Sequence, residues 1–389
     1  MKYANIIPLC GGMSIANEQA TGSEPSIIYS YSPFKSNDSH TVNRYQNVKY
    51  EVLDQDGKIY QEDLDFVSTV CPCAGMSMFS TGKKGHGAAQ NDWMYITAKL
   101  VLKDLKPKVF FGENAPGLYT KMGKEVANDL FNIGQENGYS FSIYKTNTLR
   151  HGIPQSRVRT FYFFWKSEYA PIMGWYNTKY KKLKEYLDEI PLNSTYHDIN
   201  QAKLDLEKDY TWLWAKSYFK DPRNIAAEKK YGSVFAIAKG ENLLQEMSEW
   251  LLKNGYEKGA KRAKAIYDKT QNGGGFWDSS KYIFNNYFNA LIGRSMNSLH
   301  PSEDRNITLR EGMHLMGLPL DYELTDSSLK NHITQNVPVS TAKDMTFEVI
   351  KFINNELKFS NSKFLKQNNL TEDIVENINS SVIDFIENN

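Results

Sequence analysis

Apolar residues along this chain fall into short runs that stop at glycine or small polar residues, and between the runs they recur at helical spacing. Ile6 to Leu9 leads into Gly11-Gly12, and Asp65 to Val70 is a β-branched run ending at Cys71-Pro72-Cys73. Trp93 to Leu105 has helical apolar spacing, Val109-Phe110-Phe111 opens onto Gly112-Glu113-Asn114, and Phe161 to Trp165 is a further buried run. Strands alternating with helices predict an α/β fold: a mostly parallel sheet with covered faces, whose ligands collect at the strands' carboxyl ends. Each polar motif named here falls just past such an end.

Past residue 165 the texture changes to Lys-, Tyr- and Trp-rich segments, such as Tyr176 to Tyr186 and Tyr210 to Phe219, with a glycine break at Gly273-Gly274-Gly275. This predicts a first domain over 1–165 and a separate, less regular domain over 166–306. Regular patterning returns over 307–359, where Thr341 to Phe352 reads as a helix closing back onto the first domain. The tail, 360–389, carries Ile374, Ile378, Val382 and Phe385 at helical spacing and reads as an appended helix.

Composition narrows the function. Lys and Arg total 46 against 45 for Asp and Glu, so a nucleic-acid surface would have to be a local patch rather than a global positive field. The three cysteines, Cys10, Cys71 and Cys73, form neither a disulfide framework nor a zinc-ligand spacing, which favours a reducing cytosol. No apolar run reaches the roughly 18 residues of a membrane span, so a soluble, cytoplasmic protein without a membrane partner is expected.

Three segments carry candidate chemistry. Cys73 follows a proline at a strand mouth, on a loop that can expose a thiol instead of packing it. Glu113 also sits just past a strand, and neighbouring parallel strands can deliver both side chains into one crevice. In Gln155-Ser156-Arg157-Val158-Arg159, strand alternation puts Gln155, Arg157 and Arg159 on one face. Taken singly, each has an ordinary structural explanation: a packed thiol, a solvated acid, a salt-bridge ladder.

Together these residues resemble the DNA cytosine-5 methyltransferase family. Cys71-Pro72-Cys73 is similar to its Pro-Cys nucleophile loop, Glu113-Asn114-Ala115 to its Glu-Asn-Val motif, and Gln155 to Arg159 to its Gln-x-Arg-x-Arg motif. His300 to Arg305 with Thr308 to Pro319 is similar to its late bridging segment, and Gln335-Asn336-Val337-Pro338 to its closing Gly-Asn-x-Val-Pro motif. The order matches too. The resemblance implies a Rossmann-like sheet of the class I methyltransferase type with a smaller target-recognition domain in 166–306. It also implies S-adenosyl-L-methionine as cofactor, no metal, and double-stranded DNA as partner. A monomer is expected, in a bacterial or phage-infected cell, with a restriction endonuclease as a candidate counterpart.

Ring chemistry explains the residue types. Cytosine C5 becomes nucleophilic only after a thiolate adds at C6, the task of Cys73. Glu113 is expected to protonate N3 and Arg159 to hold O2, and the resemblance makes Arg157 the cation expected beside the thiol. The base must leave the duplex first, and the loop Ser80 to Gly87, with its glycines and lysines, is expected to close over it. The cofactor is expected at Gly11, Gly12, Asp54 and Asn336.

The family pattern frays here in several places. Ile7 and Leu9 stand where an aromatic and a further glycine are usual, and Ile27 to Ser32 offers no acid for the ribose. Asp38 is the substitute considered there, Asp56 a rival to Asp54, and Asp65 either a site residue or a strand starter. Ala74 replaces a glutamine. In the middle region, Lys179 to Lys184 and Lys258 to Lys264 read as solvated faces, and the aromatics of Tyr210 to Trp214 as core. The alternative functions are methylation of transfer RNA cytosine and a catalytically impaired DNA-binding homologue.

Overall fold

A run that is apolar at every residue can be a strand only where both faces of its sheet are covered. The computed structural model describes residues 1–56, 63–77, 84–205, 209–229, 233–276, 286–291, 298–326, 330–370 and 383–385. Its strands are β1 (Tyr3–Ile6), β2 (Ile27–Ser30), β3 (Lys49–Val52), β4 (Phe66–Thr69), β5 (Val109–Asn114), β6 (Ser140–Asn147), β7 (Gln155–Ser156), β8 (Val158–Trp165), β9 (Phe288–Asn289), β10 (Phe364–Asn368) and β11 (Ile383–Phe385). Nine of them form one sheet in the order β11-β10-β6-β8-β5-β4-β1-β2-β3. β1 to β5 are mutually parallel, β8 runs antiparallel between β5 and β6, and β10 lies parallel to β6. β1, β2, β4 and β5 are buried throughout, their few polar residues included.

The two-residue period of the strands sorts the core into two faces. Ala4, Ile6, Val67, Phe110 and Phe164 pack with Met94, Ala98 and Leu102 and with Val126 and Leu130, from the helices Asp92–Leu100 and Lys124–Glu136 and the turn joining the first of them to β5. The intervening residues face the helices Gly12–Thr21 and Val339–Ile353. There Asn17 Nδ2 donates to Asn5 Oδ1 and Ser68 Oγ, Thr346 Oγ1 donates to Asn17 Oδ1 at 2.8 Å, and Trp165 packs on Phe352.

The chain divides into two compact units. The first comprises residues 1–153, 157–180 and 316–389. The boundary falls later than the composition change because 170–172 are tied to the C-terminal stretch: Ala170 N donates to Ser362 O, and Ile172 N to Lys358 O. The tail also differs from the helix expected of it, since Phe364–Asn368 is a strand that covers the edge of β6. Ile374, Ile378 and Val382 lie outside the described residues.

The second unit, 154–156 and 181–315, is mainly helical, with the strand pair β7–β9. Trp212, Trp214, Phe235, Met247 and Leu251 form its core, so the aromatics of Tyr210 to Trp214 pack inward as expected. The bridging segment is held by Glu311, which accepts from Thr308 N at 2.7 Å while its own N–H donates to Thr308 Oγ1, a reciprocal helix cap. Arg305 adds a two-pronged pair to the same carboxylate at 2.8 and 2.9 Å. Among the described residues, no helix is long and apolar enough to cross a membrane.

Candidate active site

Because β1 to β5 are parallel, the segments that follow them emerge on one edge of the sheet. After β1 the chain makes a tight turn in which Ile7 and Leu9 take φ of 52° and 51°, and Gly11 takes 84°. The left-handed conformation costs a non-glycine residue about 1–2 kcal/mol, which accounts for the family's preference for glycine here. Leu9 N donates to Asp38 Oδ1 and Thr41 Oγ1 donates to Leu9 O, both at 2.8 Å. Gly12 N donates to Asn336 Oδ1 at 3.0 Å, and a Cβ on Gly12 would stand 2.1 Å from the Val337 carbonyl oxygen. Glycine is therefore required by the close approach of the 335–338 segment, and Gly11, Gly12 and Asn336 form one cluster.

Cys73 follows β4 and is half-buried, whereas Cys10 and Cys71 are buried. Cys71 packs beside Thr69, Trp93 and Tyr162. The Cys73 loop is closed at its base: Gly85 N donates to Gly75 O, and Asn91 Nδ2 donates to Gly85 O, both at 2.8 Å. Of the expected lid, 80–83 lies outside the described residues.

Strand register brings Glu113 and Arg159 together. Antiparallel pairing sets Asn114 opposite Thr160 and Glu113 opposite Phe161, so the start of β8 lies beside the end of β5. Arg159 Nε stands 2.6 Å from Glu113 Oε1, and Glu113 is only 2 % exposed. Burial raises the Glu113 carboxyl above the usual range, against the opposing pull of Arg159 and Arg157. Burial also raises the Cys73 thiol, Glu113 raises it further, and Arg159 and then Arg157 pull it back. Burial and the neighbouring carboxylate act against ionisation of the thiol, and of the two cations that favour it Arg159 acts more strongly than Arg157.

Arg157 is buried, between β7 and β8. Gln155 lies in β7 and belongs to the second unit, where its Nε2 donates to Leu315 O. Arg157 Nη2 donates to the carbonyls of Thr334 and Asn336 at 2.7 and 3.2 Å, while its backbone N–H donates to Asn147 Oδ1. Burial, then Arg159, pushes its guanidinium down to about 9, still cationic near neutrality. The pattern of residues gave no signal for Asn147, whose side-chain oxygen accepts from a backbone N–H, or for the Thr334 carbonyl, since both contacts depend on where the backbone runs.

The remaining acids separate. Asp54 is exposed after β3 and accepts from Ser32 N and Oγ at 2.9 and 2.7 Å; these bonds lower its carboxyl. Asp38 is wholly buried and also accepts from Ser30 Oγ. Asp65 pairs with Lys108 and Lys2 N at the amino end of β4, away from Cys73, and acts as a strand starter. At the turn, Asn336 Nδ2 is buried with no hydrogen-bond partner among the described residues, and the helix Gly12–Thr21 has no side-chain cap. These donors suit the carboxylate of an amino-acid-bearing cofactor.

The sheet order thus sets a thiol, a buried carboxyl and two guanidinium groups at one edge of a mostly parallel sheet. The sequence pattern of the C-5 cytosine-specific DNA methylase family matches residues 1–351, and the chain belongs to that family. It is 22% identical over 360 residues to Type II methylase M.HgiDII of Herpetosiphon aurantiacus, covering 85% of this chain and 87% of that protein. To Type II methyltransferase M.DdeI of Desulfomicrobium norvegicum it is 22% identical over 314 residues, 74% and 71% of the two chains. A shorter match to Type II methyltransferase M.FnuDI of Fusobacterium nucleatum, 37% identical over 62 residues, spans only 18% of that protein. In fold, the chain resembles Entamoeba histolytica methyltransferase EhMeth, with a TM-score of 0.55, 11% identity and coverage of 92% and 98%. It likewise resembles a structure described as a prophage-encoded DNA modification methyltransferase of E. coli, with a TM-score of 0.56, 16% identity and coverage of 91% and 99%.

Proposed function

We propose that this chain binds double-stranded DNA, extrudes a target cytosine and transfers a methyl group from S-adenosyl-L-methionine to C5, with Cys73 as the nucleophile. One observation carries the reading: a half-buried thiol lies at the same edge of the sheet as a buried carboxyl, Glu113, whose Oε1 is 2.6 Å from Arg159 Nε, with Arg157 buried beside them. Base extrusion costs about a few kcal/mol, so the pocket must repay it with contacts to the flipped ring.

Cys73 Sγ adds to C6 after losing its proton to solvent. Glu113, with its carboxyl raised by burial, is suited to deliver a proton to N3 as charge builds on the ring. Arg159 holds the carboxyl and can offer its fork to O2. When bound, the cofactor supplies the electrophilic methyl group; Gly11, Gly12 and Asn336 would hold its amino-acid end and Asp54 its adenine. After transfer a solvent base takes the C5 proton, Cys73 leaves C6 as the thiolate, N3 returns its proton to Glu113, and the thiolate is reprotonated from solvent. By kinship with Type II enzymes of bacteria, the protein works in the cytoplasm of a bacterial or phage-infected cell, beside a cognate restriction endonuclease.

The test is transfer of tritium from methyl-labelled cofactor to unmethylated duplex DNA, beside RNA of matching sequence. Label on cytosine in DNA at one recurring sequence supports the reading. Label in RNA alone, or in neither, contradicts it.

A further inference from the structure

Leu9 stands where the turn requires a left-handed residue, yet leucine has no intrinsic preference for that conformation. Both of its backbone polar groups are gripped by side chains three residues apart. Its N–H donates to Asp38 Oδ1 and its carbonyl accepts from Thr41 Oγ1, each at 2.8 Å. The second oxygen of Asp38 accepts from Ser30 Oγ, so the end of β2 fixes the carboxylate. The Thr41 hydroxyl also lies against Gly11, where a Cβ would come within 2.8 Å of it. The next residue, Gly12, is the one bonded to Asn336.

We propose that Asp38 and Thr41 are positioning residues of the cofactor site, a clamp that holds Leu9 left-handed and so does for this turn what a glycine would do without help. Asp38 is then not a ribose ligand: both carboxylate oxygens are engaged within the protein. The inference rests on the reading of this turn as the place where S-adenosyl-L-methionine binds. Its distinctive consequence is that the clamp matters only while residue 9 is strained.

The experiment is calorimetric titration of the full chain with S-adenosylhomocysteine. Thr41→Val removes the hydroxyl but keeps the side-chain shape, and Asp38→Ala removes the other grip; each is made with and without Leu9→Gly. A left-handed penalty of about 1–2 kcal/mol corresponds to roughly a five- to thirtyfold change in affinity. Thr41→Val is therefore expected to weaken binding about tenfold, Thr41→Ser to retain it, and Thr41→Val in the Leu9→Gly background to lose less than about threefold. Asp38→Ala is expected to show the same relief, and Thr41→Val alone decides the matter if Asp38→Ala does not fold. Equal losses in the two backgrounds, or no loss in either, overturn the clamp while leaving the methyltransferase reading intact. Failure of the unsubstituted protein to bind S-adenosylhomocysteine overturns both.

Discussion

Arg157 donates to the backbone carbonyl of Asn336 at 3.2 Å, and the side chain of the same asparagine accepts from Gly12 N–H at 3.0 Å. A residue expected beside the nucleophile is thereby linked through one other residue to the turn expected at the cofactor. Arg157→Lys keeps the charge but loses the planar fork. It is expected to weaken both S-adenosylhomocysteine binding and DNA methylation, and to lower the melting temperature, because a buried carbonyl left without its donor costs about 1–3 kcal/mol. A variant that loses methylation with unchanged cofactor affinity would show that the link carries no coupling.

Cys73 is the accessible thiol of the three, and in the free protein it is held protonated by burial and by Glu113. Alkylation by iodoacetamide, mapped by mass spectrometry, should be slow at neutral pH and rise steeply only on the alkaline side of the ordinary thiol range. Glu113→Gln should speed this alkylation at fixed pH, since it removes a negative charge, and yet lower methylation by about 10²-fold or more through loss of the acid. Unchanged alkylation in Glu113→Gln would mean the two groups do not interact.

Gly12→Ala would drive a methyl group into the Val337 carbonyl, 2.1 Å from the Cβ position. Because the obstacle is backbone, relief requires moving the 335–338 segment, at a cost of about 1–3 kcal/mol and with loss of cofactor binding. Gly275→Ala, where a Cβ meets nothing within 4 Å, is the matched control and should be neutral. Comparable melting curves for the two variants would contradict the packing argument.

Asp38 supplies a pH signature. Burial pushes its carboxyl up to about 7, with Ser30 and the Leu9 N–H pulling the other way. In the unfolded chain an aspartate titrates near about 3.9, so between those values the folded protein holds a proton that the unfolded chain has lost. This contribution to stability is fully present at acid pH, declines as pH rises from about 4 to about 7, and is flat above. Relative to Asp38→Asn, the unsubstituted protein should lose melting temperature between pH 5 and pH 8. Parallel curves would show that Asp38 does not titrate in this window.

What was legible in the sequence follows from what each feature depends on. The edge on which Cys73 and Glu113 lie was legible because each follows a run of strand-forming residues, and parallel topology brings such ends to one edge. Gln155, Arg157 and Arg159 read as one alternating run, whereas Gln155 lies in β7 and Arg159 in β8, two strands that a residue pattern does not separate. β10 was missed for a related reason: five residues carry too little period to declare a strand, and its place is set by the exposed edge of β6. Asp38 pointed toward a ligand because the strain it relieves, the left-handed Leu9, is a backbone angle that no residue pattern displays.

The central claim, that Cys73 attacks the cytosine ring in DNA, is tested most directly by trapping. Duplex DNA carrying 5-fluorocytosine is incubated with the protein and S-adenosyl-L-methionine, and the product is digested and sequenced by mass spectrometry. Fluorine blocks the final elimination, so the account predicts a stable adduct on the Cys73 peptide, absent in Cys73→Ala and absent with RNA. No adduct on sequence-diverse DNA, or an adduct that survives Cys73→Ala, would contradict it.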